Sequence, residues 1–205
     1  ASSWFDDRDL PPLANFPELE SLDLSSTRVS ETGIEQLGVL PNLTSLSLAG
    51  TLLRDVPLEL PAICPALKSL DLQDTLISDS SVAAVNGFAH LTELSLGGTG
   101  ITQDGLSQLD ALAELESLSL AGTTICQLDQ LTSSRFPRLK RLNLLGTLTS
   151  RDELDAVRER MPELEVISGR DPGDLIALID VQRDADARFS QGRVWQKENG
   201  RLITA

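Results

Sequence analysis

The sequence predicts an α/β protein: a right-handed solenoid with a concave parallel β-sheet on one side and short α or 3-10 segments on the other. Three observations predict it. The motif L-x-x-L-x-L-x-x-T starts at Leu19, Leu43, Leu67, Leu91, Leu115 and Leu139, a constant step of 24 residues. Two more apolar columns keep that register: Val29, Leu53, Ile77, Ile101 and Ile125, failing at Thr149, and Phe16, Leu40, Cys64, Phe88, Leu112, Phe136 and Met161. Aromatics make up only 3% of the 205 residues and Tyr is absent, so the 40% hydrophobic content is largely aliphatic, as stacked leucine layers require.

Taken in chain order, residues 1–15 read as an N-terminal cap. Solenoids need one because a terminal repeat would otherwise expose its leucines. Trp4, Phe5, Leu10 and Leu13 supply the apolar lid, with Asp6, Asp7 and Asp9 facing water. Residues 16–169 read as six full repeats plus a degraded seventh, which begins at Leu164 with Val166 and Ile167, one residue late. Each L-x-x-L-x-L segment is short and extended with its leucines on one face, so it forms one strand of a parallel sheet. The Thr column (Thr27, Thr51, Thr75, Thr99, Thr123, Thr147) stands where the chain leaves the strand, and its hydroxyls are expected to satisfy turn backbone rather than a ligand. Gly50, Gly98, Gly122 and Gly146 precede it and fit a turn with positive φ.

The returning halves vary. Ile34, Leu37 and Leu40, then Val82, Val85 and Phe88, then Leu106, Leu109 and Leu112 show three-residue spacing suited to short helices. Pro57 and Pro61 keep repeat two from being helical throughout. Residues 170–205 leave the repeat at Asp171-Pro172-Gly173. They continue into a helix-compatible run from Asp174 to about Phe189, then a hairpin turning at Asn199-Gly200 between Val194-Trp195 and Leu202-Ile203. This tail reads as a cap or as the start of a further module.

The motif resembles the leucine-rich repeat family over residues 16 to 168. GTGITQDGLSQL and DTLISDSSVAAV are similar to the I-T-D-x-G-L-x-x-L pattern of bacterial and F-box-associated members, with Thr where Asn or Cys is usual. The resemblance implies the solenoid fold and an interaction role. It also admits a substrate-recruiting domain of a larger enzyme or effector whose catalytic part lies outside these residues. The helix and hairpin of the tail resemble the lead-in module before repeats in some bacterial proteins, implying a chain that runs on past Ala205 into more repeats.

A formal charge of −14 and a pI near 4.4 disfavour nucleic acid and anionic membranes as partners. No apolar run approaches the roughly 20 residues that span a bilayer, and ASSWFDDRDL lacks a signal-peptide pattern, so the chain as given reads as soluble and not membrane-inserted. Cys64 and Cys126 stand more than two repeats apart, ~10 Å or more at ~4.8 Å per stacked strand, too far for a disulfide; both read as buried thiols. The single histidine, His90, has no nucleophile elbow nearby, and no phosphate loop, dinucleotide fingerprint, zinc pairing or calcium loop is present. The expectation is a non-enzyme without cofactor or metal.

The candidate site is the concave face, where outward strand positions form two columns. One reads Ser21, Ser45, Ser69, Glu93, Ser117, Arg141; the other reads Asp23, Ser47, Asp71, Ser95, Ser119, Asn143. Gln73, Asp74 and Leu145 extend it at the edge. Polar, shallow and rich in hydroxyls, it suits hydrogen bonding to a protein or peptide partner. Asp23 and Asp71 lie two repeats apart, ~10 Å, too far to share one cation. Charge is uneven along the array: seven acids and two bases in the first 31 residues, against Arg135, Arg138, Lys140 and Arg141 in repeat six.

Overall fold

Each repeat buries its leucines on one side of a three-residue strand, and successive strands lie one repeat apart in register. The computed structural model describes residues 5–10, 13–169, 194–198 and 201–204. Seven strands run parallel: β1 (Ser21–Asp23), β2 (Ser45–Ser47), β3 (Ser69–Asp71), β4 (Glu93–Ser95), β5 (Ser117–Ser119), β6 (Arg141–Asn143) and β7 (Glu165–Ile167). Every pairing from β1 to β7 keeps the 24-residue step, so Leu22, Leu46, Leu70, Leu94, Leu118, Leu142 and Val166 stack in one row. All seven are buried in a single continuous core.

The seventh repeat corrects one expectation. Its strand is not one residue late: Glu165 pairs with Arg141 and Val166 with Leu142, so only the leucine spacing is degraded. Ile167 therefore stands opposite Asn143, and it is buried at the end of the array.

The Thr and Gly columns build one repeated turn. Thr27, Thr51, Thr75, Thr99, Thr123 and Thr147 each donate their Oγ1 hydrogen to the carbonyl three residues back, at 2.6–2.8 Å. The position before each Thr has positive φ in all six copies: 64°, 63°, 66° and 74° at the four glycines, 54° at Ser26 and 55° at Asp74. Where the column of Val29 and Ile125 fails, Thr149 is buried and its hydroxyl lies 3.0 Å from that of Thr147.

Short helices occupy the convex side: α1 (Glu31–Glu35), α2 (Leu60–Ile63), α3 (Val82–Val85), α4 (Gln103–Gln108) and α5 (Arg151–Arg160). In repeat two the helix is confined to four residues, with Pro61 in its first turn, where a missing N–H costs nothing. The apolar positions read at three-residue spacing are buried, Ile34, Val82 and Leu106 among them.

At the N-terminal end Phe5 and Leu13 are buried and Leu10 packs on the core. Asp7 does not simply face water. It accepts from the backbone N–H and hydroxyl of Ser30, at 2.8 and 2.5 Å, and so ties the cap to the first repeat. Phe16 departs from its buried column and is 38% exposed, as its place at the start of the stack dictates.

The run Asp174 to Phe189 lies outside the described residues. Beyond it, β8 (Val194–Glu198) and β9 (Arg201–Thr204) form the antiparallel hairpin expected at Asn199-Gly200. Its location is not readable from the sequence: β8 pairs parallel with β1, Val194 opposite Ser21 and Trp195 opposite Leu22. The tail thus returns to the opposite edge of the sheet from β7, giving the order β7-β6-β5-β4-β3-β2-β1-β8-β9.

Candidate functional site

Alternation along each strand sends the leucines inward and leaves two side chains per strand on the concave face. The register aligns Ser21, Ser45, Ser69, Glu93, Ser117 and Arg141 in one row, and Asp23, Ser47, Asp71, Ser95, Ser119 and Asn143 in the next. Both predicted columns are therefore physical rows. Their accessibility is graded: Ser21, Ser45 and Ser47 are buried, whereas the pairs on β3 to β6 are half-buried.

Part of the second row serves the strand ends. Asp23, Asp71 and Asn143 each accept, through a side-chain oxygen, the backbone N–H two residues ahead, at 2.8, 3.1 and 3.0 Å. These are short polar turns that close the strand where the ladder stops. Asp71 has further partners across the sheet: Ser47 Oγ donates to its Oδ2 at 3.4 Å from one side, and Ser95 hydrogen-bonds it from the other. Burial pushes the Asp71 carboxyl above the ordinary carboxylate value. The hydrogen bonds pull the other way, and the Asp23 charge adds to the rise.

In the first row, Arg141 reaches past the small Ser117 to Glu93, with a guanidinium nitrogen 3.8 Å from Glu93 Oε1. Glu93 in turn accepts from Ser69 Oγ at 3.2 Å. The face thus divides into a bridged acid-base half around β4 to β6 and an acidic half around β1 to β3. At the flank, Gln73, Asp74 and Leu145 are exposed, and Gln73 donates to Asp74 at 3.1 Å.

The basic cluster of repeat six is dispersed by the fold. The Arg135 guanidinium is turned onto the carbonyls of Ser107 and Leu109 at the end of α4, both at 2.8 Å, where a cation complements the unpaired carbonyls of a helix terminus. Lys140 pairs with Glu116 at 2.8 Å and holds that carboxyl below its ordinary pKa. Arg138 lies 4.0 Å from Glu114, and His90 lies 3.6 Å from the same carboxylate, well exposed at the strand entrances.

Cys64 is buried, and burial pushes its thiol up to about 12. Cys126, expected to be buried, is exposed. It occupies the column of Ser30, Thr102 and Ser150, which immediately precedes the convex helices. No cluster of three or more metal-ligating side chains occurs among the described residues, and no helix there is long and apolar enough to cross a membrane.

A further column, Asp7, Glu31, Asp55 and Asp79, passes unnoticed in a leucine-centred reading although it keeps the 24-residue step. Asp79 accepts from Thr102 N–H at 2.8 Å and Thr102 Oγ1 at 2.6 Å, repeating the Asp7–Ser30 contact 72 residues later. Glu31 accepts from the N–H groups of Arg54 and Asp55, and Asp55 from Ser81 Oγ at 2.6 Å. Gly33 and Gly105 leave room for these carboxylates, since a Cβ there would collide with Asp7 and Asp79 respectively.

A family model described as "Leucine Rich repeat" matches residues 89–109. No curated protein matches the chain by sequence. Solved structures do match in fold. An internalin C2 from Listeria monocytogenes superposes with a TM-score of 0.61 at 24% identity, over 76% of this chain and 63% of that one. A leucine-rich-repeat protein of Leptospira interrogans gives 0.56 at 23% identity, over 73% and 37%. The APL1 leucine-rich repeat domain gives 0.56 at 19%, over 73% and 38%. The chain spans less than two thirds of each of these three. Its fold is that of an α/β leucine-rich-repeat solenoid with a parallel concave sheet.

Proposed function

We propose that this chain is a non-catalytic recognition module that binds a protein or peptide along its concave face. The observation that carries the reading is the strand register, which aligns twelve polar side chains from β1 to β6 into one rigid surface. That surface is ~25–30 Å long at ~4.8 Å per strand, enough for an extended segment or one face of a small domain. Rigidity favours binding, because little conformational entropy is lost when a partner docks on a preformed sheet. The accessible centre is Ser69, Asp71, Glu93 and Arg141, and the edge positions Gln73, Asp74 and Leu145 widen it.

The test uses the wild type and a variant with Ser69, Asp71, Glu93 and Arg141 all replaced by Ala. Paired affinity captures from the native cell extract identify a partner, whose affinity for both forms is then measured with purified components. Circular dichroism establishes that the variant is folded. Loss of binding in the folded variant supports the concave face; unchanged affinity overturns it.

A further inference from the structure

The acidic half of the concave face carries more than a generic docking surface requires. Among the described residues of β1 to β7, four carboxylates stand on that face, Asp23, Asp71, Glu93 and Glu165, against one guanidinium, Arg141. Arg141 lies toward Glu93, so the compensated charge is on β4 to β6. Among the described residues Asp71, by contrast, meets only hydroxyls and a backbone N–H; the one charged side chain there that bears on it is Asp23, of like sign. Burying a carboxylate beside another without a cation is costly. Desolvation of Asp71 raises its pKa accordingly.

A second, independent observation lies on β1. Ser21 is 5% exposed, sits on the same face two residues before Asp23, and its Oγ has no hydrogen-bond partner. A buried hydroxyl without a partner calls for an explanation. An incoming backbone or side-chain polar group along β1 to β3 would supply one.

We infer that the β1–β3 half of the concave face is a cleft for a basic peptide segment, with one arginine or lysine seated on Asp71 and a second on Asp23. The proposal rests on the concave-face reading and names the chemistry of its partner. Asp23 and Asp71 are two strand spacings apart, ~10 Å, which is about three residues of a polyproline II segment at ~3.1 Å each, the conformation that returns every third side chain to one side. The matching segment therefore has basic residues at positions i and i+3. An incoming guanidinium would hydrogen-bond Asp71 without displacing a cation of any described residue. The acidic net charge of the whole chain, −14, would speed its approach at low salt.

The experiment uses the full chain and two dye-labelled twelve-residue Gly/Ser peptides, identical except that one carries Arg-x-x-Arg and the other citrulline at both positions. Anisotropy titrations are run with wild type, Asp71→Asn, Asp23→Asn, and Asp129→Asn as a charge-matched control, Asp129 being exposed in the fifth repeat's return segment. The expected result is saturable binding of the arginine peptide to wild type and to Asp129→Asn. Binding weakens at least ten-fold with citrulline or with Asp71→Asn, and by a smaller factor with Asp23→Asn. No saturable binding of the arginine peptide to wild type, or equal binding by Asp71→Asn, overturns the inference. If the four-residue variant loses its protein partner while Asp71→Asn and citrulline change nothing, the concave-face reading stands and the basic-segment inference alone falls.

Discussion

Gly122 has φ 66° with nothing nearer than 3.7 Å to the place its Cβ would take, so its conformation and not its packing demands glycine. Gly122→Ala is expected to cost about 1–2 kcal/mol, the penalty of the left-handed region for an L-residue, as read by urea unfolding. Ser26 and Asp74 already sit there, and Ser26→Gly should be neutral or stabilising in the same assay. Asp71 makes a prediction with a definite sign. Its folded pKa lies above its unfolded value, so the folded state holds more protons across that window and stability falls as pH rises through it. Asp71→Asn, which keeps an Oδ1 acceptor for Gln73 N–H, should therefore raise the Tm at pH 7. The gain should fade below the ordinary carboxylate range, and an unchanged Tm at pH 7 would remove the desolvation argument. The two thiols differ as sharply. Iodoacetamide followed by mass spectrometry should show one adduct, at Cys126, on the native chain and a second, at Cys64, only in denaturant.

At the scale of an element, the Thr hydroxyl closes its turn inside one repeat, whereas the strand ladder and the helix starts are tied to neighbouring repeats. Thr99→Val keeps the shape but leaves the Leu96 carbonyl without its 2.6 Å donor; about 1–2 kcal/mol of destabilisation is expected by thermal or urea melt. Asp79→Ala strips the partner from Thr102 N–H at the start of α4 and should cost about 1 kcal/mol, a loss typical of a helix-terminus contact. The sequence announces the Thr column because its partner is three residues away in the same repeat. It does not announce the role of Asp7, Glu31, Asp55 and Asp79, although their step is visible, because their partners belong to the next repeat. The same reason separates Arg135 from its reading as part of a basic patch: the carbonyls that hold it are on α4, one repeat earlier.

For the whole molecule, each repeat buries its leucines only against its neighbours, and stability propagates along the stack. Leu94 is buried between Leu70 and Leu118, so Leu94→Ala should cost about 2–5 kcal/mol. Leu145, 38% exposed at the flank, should change stability by no more than about 0.5 kcal/mol when truncated. Chemical denaturation of the two variants side by side checks both. The ends obey different rules from the middle. Phe5 and Leu13 cover the first repeat, while β8 extends the sheet beyond β1, so the open edge beside Ser21 and Leu22 is closed by residues far away in the chain.

By itself the sequence determined the repeat length, the strand register, the inward leucines, the turn chemistry and the two polar rows, because each recurs every 24 residues and periodicity is the imprint of stacked equivalents. Only the tertiary structure decided which polar groups on those rows are compensated: Arg141 with Glu93 across Ser117, and Asp71 with no cation among the described residues. It also decided that Cys126 faces outward, that the cluster in repeat six is neutralised from neighbouring repeats, and that the tail hairpin lies beside β1. These depend on contacts between non-equivalent positions, set by side-chain reach and chain return, which no repeat period encodes.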